Sequence, residues 1–339
     1  MAQQNGFRRK LLLACLLTLL AASACFLFVP GLNTASKTTR IAIHRGMGFT
    51  AIVDELYRNG AIKSKWPALL TGRIIPELHK IKPGRYVITP GMSNFLLLYH
   101  LHSQKQDEVR VTLPEGLDLR HVASIMARKL DIDSTSFMAA VSDSRLLDKH
   151  GIKAKNAEGY LFPGTYDFAW ASTSEEAAGF LISRFRKFYT GQLKTLTLKN
   201  GLSETGLLTL ASIVEAETPL DREKPIVASV YLNRLKKNMP LQADPTVQYA
   251  LGGAARRLYY SDLATDSPYN TYRHKGLPPG PICNPGAQSI LAVLNSANTG
   301  FLYFVATGTG GHNFASSLTE HSDNIKKYHR ARRQSHTLK

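Results

Sequence analysis

An apolar run near the N-terminus constrains this chain more than any other feature. The run covers Leu11–Val29 with only two polar interruptions, and the basic residues Arg8–Lys10 precede it. Nineteen residues of α-helix span about 28 Å, close to the roughly 30 Å hydrocarbon core of a bilayer. Basic residues on one side favour a cytoplasmic N-terminus. The sequence therefore predicts a cytoplasmic segment at 1–10 and a transmembrane helix at 11–30.

Two other interpretations of this segment stay open. The small residues Ala22–Ala24 resemble a signal-peptide cleavage site, and Cys25 directly after them resembles the acylated cysteine of a lipoprotein. However, the apolar run continues through Phe26–Val29, where a processed protein usually becomes polar. We therefore expect a retained single anchor rather than a cleaved or lipidated one.

The composition is typical of a folded protein that meets polyanions. Its 339 residues, 44% hydrophobic and 20% charged, leave room for two domains with their own cores. Three cysteines exclude a disulfide framework and a thiolate-only zinc site, and we predict no metal and no cofactor. The net charge of +17 favours anionic lipid or a cell-wall polymer, since an exported chain does not meet nucleic acid.

A strand–turn–helix pattern occurs three times after a polar linker at 31–40. Each copy begins with alternating apolar residues and changes across a glycine to apolar residues at helical spacing. The three copies are Ile41–Leu56, Tyr86–Leu101 and Val109–Leu130, with turn glycines Gly46, Gly91 and Gly116. The spacing between the glycines is unequal, which excludes a solenoid. The pattern predicts a small α+β domain at 41–130.

Part of this domain resembles a known module. The β-α-α-β order from Ile41 to Ile88 is similar to the LysM module, which implies contact with glycans that contain N-acetylglucosamine. A role as a packing spacer is the alternative. Residues 131–202 are expected to form a helical connecting region, in which the aromatic loop Glu158–Tyr166 either stacks on sugars or packs between elements. We expect a second domain at 203–339, mainly helical at first and rich in loops beyond Gln242.

Two carboxylates stand at the end of an apolar helix, in the stretch Ala211–Thr218. The predicted buried stripe consists of Leu207, Leu210, Ala211 and Val214. Residues two apart lie about 200° apart around a helix, so Glu215 and Glu217 occupy opposite flanks of this stripe. A carboxyl that apolar neighbours shield from water holds its proton to higher pH and can protonate a glycosidic oxygen. Periodicity does not choose between the two acids, and both can also simply solvate the helix end.

Several longer motifs follow in a fixed order. They are Ala211–Thr218, Val230–Leu235, Leu241–Tyr249, Ser267–Tyr272, Gly276–Ile282 and Asn284–Gly286. Together with the apolar anchor and the stretch Glu158–Pro163, they resemble the YceG-like family of endolytic murein transglycosylases over nearly the whole chain. The resemblance implies an α+β protein with a transmembrane helix, a LysM-like domain and a lysozyme-like lytic transglycosylase domain.

The resemblance also implies roles for particular residues. Glu215 matches the catalytic acid of the family, and Glu217 stays a candidate second acid. Gln242 matches a glutamine expected to line the cleft opposite the acid. The residues expected to hold sugar and acetamide groups are Tyr269, Asn270 and Tyr272. Ala216 stands where the family commonly has Lys, a difference that leaves the chemistry unchanged.

The implied reaction needs a single acid. Glu215 would protonate the oxygen that leaves C1 of N-acetylmuramic acid and would then take the proton of the C6 hydroxyl of the same sugar, which leaves a 1,6-anhydro end. We therefore expect an inner-membrane, single-pass enzyme that cleaves nascent peptidoglycan strands in the periplasm, with wall synthases as candidate partners. The alternatives are a hydrolytic muramidase and a non-catalytic glycan-binding scaffold.

Overall fold

The computed structural model covers most of the chain beyond the apolar run. It describes residues 13, 14, 18, 28–34, 36–105, 107–199, 201–252 and 256–337. The predicted cytoplasmic segment 1–10 and most of the predicted transmembrane helix 11–30 lie outside the described residues. Within the part that is described, no helix is both long enough and apolar enough to cross a membrane.

The chain divides into two compact units. The first contains the described residues up to Val109, with Lys129–Asp131 and Asp167–Ser172, and the second contains Arg110–Arg128, Ile132–Tyr166 and Thr173 onwards. Both helices and short strands are present, so the α+β class predicted from the sequence is confirmed. The LysM-like assignment and the division at residues 130 and 202 stay predictions.

The first unit is built around one antiparallel strand pair. Strand β1 (Thr39–Ile43) is followed by helices α1 (Phe49–Arg58) and α2 (Trp66–Ile74), then by β2 (Gly84–Ile88) and α3 (Asn94–Ser103). The strands pair from Thr39 opposite Ile88 to Ile43 opposite Gly84. Alternate residues of both strands therefore face one side, where they are buried against the helices.

All three predicted strand–turn–helix copies are present. The third comprises β3 (Glu108–Leu113) and α4 (Leu119–Lys129). The turn glycines Gly46, Gly91 and Gly116 have φ of 86°, 83° and 79°, a left-handed conformation that glycine adopts without the steric strain of a side chain. The local sequence pattern therefore suffices to predict these three units without knowledge of any tertiary contact.

The second unit has more helices. The elements from α5 to α8 are α5 (Ser134–Ala140), α6 (Ser144–Lys149), β4 (Gly164–Ala169), α7 (Ser174–Phe188) and α8 (Lys194–Lys199). Those that follow are α9 (Glu204–Glu217), α10 (Lys224–Lys236), α11 (Asp244–Leu251), α12 (Ala287–Leu294), β5 (Tyr303–Ala306), β6 (His312–Ala315) and α13 (Leu318–Thr337). Strand β3 pairs with β4, and β5 pairs with β6.

Helix α9 is the central element of the second unit. The Ser203 hydroxyl caps its N-terminus by accepting a hydrogen bond from the Gly206 N–H. Every residue from Leu207 to Val214 is buried, so the apolar surface is wider than the predicted stripe. This is because α10, α11 and α12 all pack against α9, and a helix with neighbours on several sides is apolar all round. The first turn, at Glu204–Gly206, and the last turn, at Glu215–Glu217, are at least partly exposed.

Candidate active site

Glu215 lies in the last turn of α9, at the start of helix α12. Its side chain is 8% exposed. Oε2 accepts a hydrogen bond from the Gly286 backbone N–H at 2.9 Å and another from the Ser289 hydroxyl at 2.7 Å. Gly286 caps the N-terminus of α12, where unpaired N–H groups and the helix dipole attract negative charge. The Glu215 carboxylate is therefore held in a fixed orientation by a neighbouring helix.

A buried lysine contacts the other oxygen of Glu215. The Lys224 side chain, at the start of α10, is 3% exposed, and its Nζ lies 3.3 Å from Glu215 Oε1. It also lies 3.0 Å from Asp221 Oδ1, although that carboxyl is mostly exposed. Burial alone would lower the pKa of Lys224, but the hydrogen bonds and charges of Asp221 and Glu215 outweigh it and raise this pKa. Lys224 therefore stays protonated between these acids.

A third carboxyl, that of Glu115, reaches the same lysine from the loop between β3 and α4. Glu115 Oε2 lies 4.0 Å from Lys224 Nζ, and the side chain is 47% exposed. Partial burial and the charge of Glu215 raise the pKa of Glu115, while Lys224 opposes the change. In the sequence, Glu115 stands directly before the turn glycine Gly116 and has no other distinguishing feature. No local pattern could have found its position beside Glu215, because the two residues lie a hundred positions apart.

The loop that carries Glu115 is attached firmly to the segment before α12. The Gly116 N–H donates to the Asn284 carbonyl at 3.0 Å, and the Asn284 N–H donates to the Leu117 carbonyl at 2.8 Å. The Asn284 side-chain amide donates to the same Leu117 carbonyl at 2.9 Å. Gly286 packs so closely against Glu115 that a Cβ at this glycine would overlap the carboxylate. The carboxyls of Glu115 and Glu215 are therefore both located by one short segment, Asn284–Gly286.

Glu158, in the aromatic loop, forms hydrogen bonds that help to hold the Asn284 segment in place. It is 4% exposed and accepts hydrogen bonds from the Leu119 N–H at 3.2 Å, the Tyr249 hydroxyl at 3.3 Å and the Asn284 amide at 3.3 Å. Burial raises the pKa of Glu158 to about 8. In the sequence, only the aromatic residues of this loop stand out, and nothing marks Glu158 as the buried acid that connects α4, α11 and Asn284.

Glu217, the other candidate acid, lies in a different environment. Its carboxyl accepts a hydrogen bond of 2.5 Å from the hydroxyl of Tyr231, which is itself buried. Burial raises the pKa of Glu217 to about 7, with the Asp244 charge acting in the same direction and Arg234 against it. None of the partners of Glu215 described above contacts Glu217, as expected for residues about 200° apart around one helix.

Gln242 adopts a strained backbone conformation. Its φ is 51°, a left-handed value that residues with a Cβ avoid. The Gln242 N–H donates to the Thr271 carbonyl at 3.1 Å, and its side-chain oxygen accepts a hydrogen bond from Arg234 at 3.3 Å. The residue is exposed. Such strain at a solvent-facing polar residue is common at functional sites.

The three predicted sugar-binding residues differ in their exposure. Asn270 is fully buried; its amide donates to the Leu263 and Thr265 carbonyls at 2.9 and 2.8 Å, and its oxygen accepts from the Tyr272 N–H at 3.0 Å. Both the amide nitrogen and the oxygen of the Asn270 side chain are therefore engaged in holding its own loop. Tyr269 and Tyr272 are partly exposed.

Each of these two tyrosines also has a partner in helix α11. The Tyr269 ring packs against Tyr249 with 4.9 Å between centroids. The Tyr272 hydroxyl donates to Asp244 at 2.6 Å. Their partly exposed surfaces leave them able to contact a ligand, in contrast to Asn270. Among the residues that the structure describes, no group of three or more His, Cys, Asp or Glu side chains is arranged to hold a metal ion.

The neighbouring carboxyls, the shared lysine and the donors of a helix N-terminus form a cluster that contains the groups which acid–base cleavage of a glycan needs. Residues 41–327 match the model of the YceG-like family. A Bacillus subtilis protein named endolytic murein transglycosylase is 35% identical over 309 residues, which cover 86% of each chain. The chain therefore belongs to the YceG-like family, as the sequence motifs predicted.

Two further comparisons agree. A Streptococcus pneumoniae protein, also named endolytic murein transglycosylase, is 30% identical over 280 residues, which cover 73% of this chain and 51% of the relative. The match therefore spans about half the length of that relative. A solved structure of a YceG-like protein from Listeria monocytogenes aligns with a TM-score of 0.59 and 27% identity, over 85% of this chain and 99% of that one.

Proposed function

We propose that this chain, a lyase-type transglycosylase of the YceG-like family, cleaves the β-1,4 bond between N-acetylmuramic acid and N-acetylglucosamine within peptidoglycan strands. The names of its relatives support the transglycosylase activity and the murein substrate. The observation that carries the proposal is the geometry of Glu215, a carboxyl that is shielded from bulk water and oriented by three donors.

Glu215 acts first as the acid. Its carboxyl transfers a proton to the glycosidic oxygen as the bond from this oxygen to C1 of N-acetylmuramic acid breaks, and the leaving sugar departs with a free hydroxyl. The Ser289 hydroxyl can either donate to Glu215 or accept from it, so it can contact the carboxyl both with and without the proton. The Gly286 N–H and Lys224 then stabilise the carboxylate that the transfer leaves behind.

Glu215 acts second as the base. Its carboxylate takes the proton of the C6 hydroxyl of the same N-acetylmuramic acid while the C6 oxygen bonds to C1. The product end is a 1,6-anhydro sugar, the carboxyl regains its proton, and no water is consumed. One residue therefore suffices for both proton transfers, so Glu217, which accepts a hydrogen bond from Tyr231, needs no part in the chemistry.

Substrate contacts beyond the cleaved bond are assigned to the exposed polar surface. We assign sugar binding to Gln242, Tyr269 and Tyr272, because each is exposed or partly exposed. Asn270 would shape this loop from within, since its amide is used by backbone groups. The LysM-like domain would contact the same glycan.

The place of action follows from the apolar run. With residues 11–30 as a single inner-membrane span and a cytoplasmic N-terminus, the rest of the chain would work in the periplasm on strands that emerge beside the wall synthases. The high positive charge of the chain suits an anionic polymer near a membrane surface.

Hydrolysis is the second candidate, because Glu115 places another carboxyl beside Glu215, and a pair of carboxyls can activate water. Mass spectrometry of products from defined glycan strands separates the two reactions. We expect ends lighter by one water, as an anhydro sugar requires, and ordinary reducing ends would establish hydrolysis instead. If the wild-type protein does not cut at all, the chain is a glycan-binding scaffold.

A further inference from the structure

Glu115, Asp221 and Glu215 compete for a single ammonium group. Lys224 Nζ lies 3.3 Å from Glu215, 3.0 Å from Asp221 and 4.0 Å from Glu115. With all three acids ionised, the cluster has a formal charge of −2. Carboxylates that share one ammonium group repel one another, so a cluster of this kind binds a proton more readily than the same acids would if each had its own cation.

The position of Glu115 in this cluster is set by dedicated contacts. The residues that follow it, Gly116 and Leu117, form backbone hydrogen bonds with Asn284 at 3.0 and 2.8 Å. The Glu115 carboxylate lies over Gly286, and the same glycine donates its N–H to Glu215. A freely moving surface glutamate would have none of these constraints.

The groups that face Glu215 come from several elements. Lys224 approaches from α10, Asp221 from the turn before α10, and Glu115 from the loop after β3, while α12 contributes only the neutral Gly286 and Ser289 groups. The buried thiol of Cys283 is neutral, because burial raises its pKa well above the usual value. In the part of the chain that the structure describes, Glu115 and Asp221 are the acids that share Lys224 with Glu215, and Glu115 is the less exposed of these two.

We infer that Glu115 is a positioning residue of the reaction: its negative charge, beside Glu215 on the same lysine, opposes the loss of the proton that Glu215 transfers. Burial and the Glu215 charge both raise the pKa of Glu115, which agrees with this placement. This inference rests on the proposed function, because it needs Glu215 as the acid. It adds a second carboxyl that acts through Glu215 rather than on water.

The test is the pH dependence of cleavage by the purified full-length protein on defined glycan strands. Removal of the Glu115 charge removes this repulsion, so we expect the alkaline limb of the kcat/KM profile of Glu115→Gln to lie about one pH unit lower than that of the wild type. At a fixed pH on this limb the loss is about tenfold, and below it the activity returns towards that of the wild type. A loss that is equal at every pH would show a structural role and overturn the inference.

A second variant moves the charge without removing it. Gly286 has φ of −74°, which alanine adopts readily, and the added Cβ would push the Glu115 carboxylate aside. We expect Gly286→Ala to shift the limb in the same direction as Glu115→Gln, and Glu115→Asp to restore part of the wild-type profile. Opposite shifts in Gly286→Ala and Glu115→Gln would contradict the inference even if one variant folds poorly.

The control variant removes one carboxylate charge at a site away from Glu215. Asp323 on α13 forms an exposed pair with Lys326, so Asp323→Asn should leave the limb in place. Failure of this inference is distinguishable from failure of the proposed function. Anhydro products with an unmoved limb overturn only the role of Glu115, ordinary reducing ends overturn the lyase reaction, and a wild type that does not cut overturns both.

Discussion

The two sides of the last turn of α9 place similar carboxyls in opposite environments. Glu215 accepts hydrogen bonds from a lysine, a backbone amide and a serine. Glu217 has one tyrosine hydroxyl as its hydrogen-bond donor, and burial raises its pKa to about 7. A pKa near neutrality would by itself favour Glu217 as the acid. The comparison shows that a suitable pKa does not identify a proton donor, because the donor must also reach the substrate and be stabilised after it loses its proton.

The largest expected effect tests directly which of the two acids, Glu215 or Glu217, donates the proton. Glu215→Gln should lower the rate of glycan cleavage by about a thousandfold or more, because removal of a general acid costs 10²–10⁴-fold and the second proton transfer is lost as well. Glu217→Gln should cost less than about tenfold, since the amide can still accept from Tyr231. The rates are measured by release of products from defined strands, with circular dichroism to verify folding. An inactive Glu217→Gln beside an active Glu215→Gln would reverse the assignment.

The next effect concerns the lysine on the Glu215 side. Lys224→Met leaves buried Glu215 without its cation, so the free energy of unfolding should fall by about 3 kcal/mol. Urea unfolding measures the change. The matched control is Lys326→Met, which removes the cation of an exposed pair and should cost no more than about 0.5 kcal/mol. Equal losses in the two variants would show that Lys224 contributes no more than a surface charge.

The free energy of unfolding, measured by urea unfolding at a series of pH values, distinguishes the buried acids Glu158 and Glu217. The pKa of Glu158 rises from 4.5 to about 8 on folding, so the unfolded chain releases this proton at lower pH than the folded chain does. The contribution of protonated Glu158 to the free energy of unfolding is complete below about pH 4.5. It falls by about 1.4 kcal/mol per pH unit as the pH rises to about 8. Glu158→Gln should remove this slope. Glu217→Gln should remove its own share only below about pH 7, and an unchanged slope in both variants would refute the two shifts.

The smallest expected effect concerns Gln242, whose side chain accepts a hydrogen bond from Arg234. Gln242→Gly relieves a left-handed φ of 51°, so stability should stay the same or rise by up to about 1 kcal/mol. At the same time KM for glycan strands should rise several-fold if the glutamine side chain contacts sugar. Thermal unfolding and steady-state kinetics measure the two quantities. A variant with wild-type KM would assign Gln242 a purely local role.

The candidate site could be predicted only in part. The helix that carries both acids was clear from its apolar periodicity, yet the choice of Glu215 came from a resemblance in motif order. The use of Asn270 within its own loop has no signal in the sequence, because a sugar-binding asparagine and a loop-holding one look the same. Glu115 and Glu158 were missed for a related reason: one stood in a turn and the other among aromatic residues.

The sequence by itself determined the local units: three glycine turns between strands and helices, the α9 helix, and the opposite flanks of Glu215 and Glu217. These follow from backbone sterics and periodicity, which act over a few residues. Tertiary structure alone decided which groups meet at the acid. Lys224, Ser289 and Glu115 come from three separate parts of the chain, and Asn284 joins two of them. Such contacts depend on the packing of whole helices, and no local pattern records them.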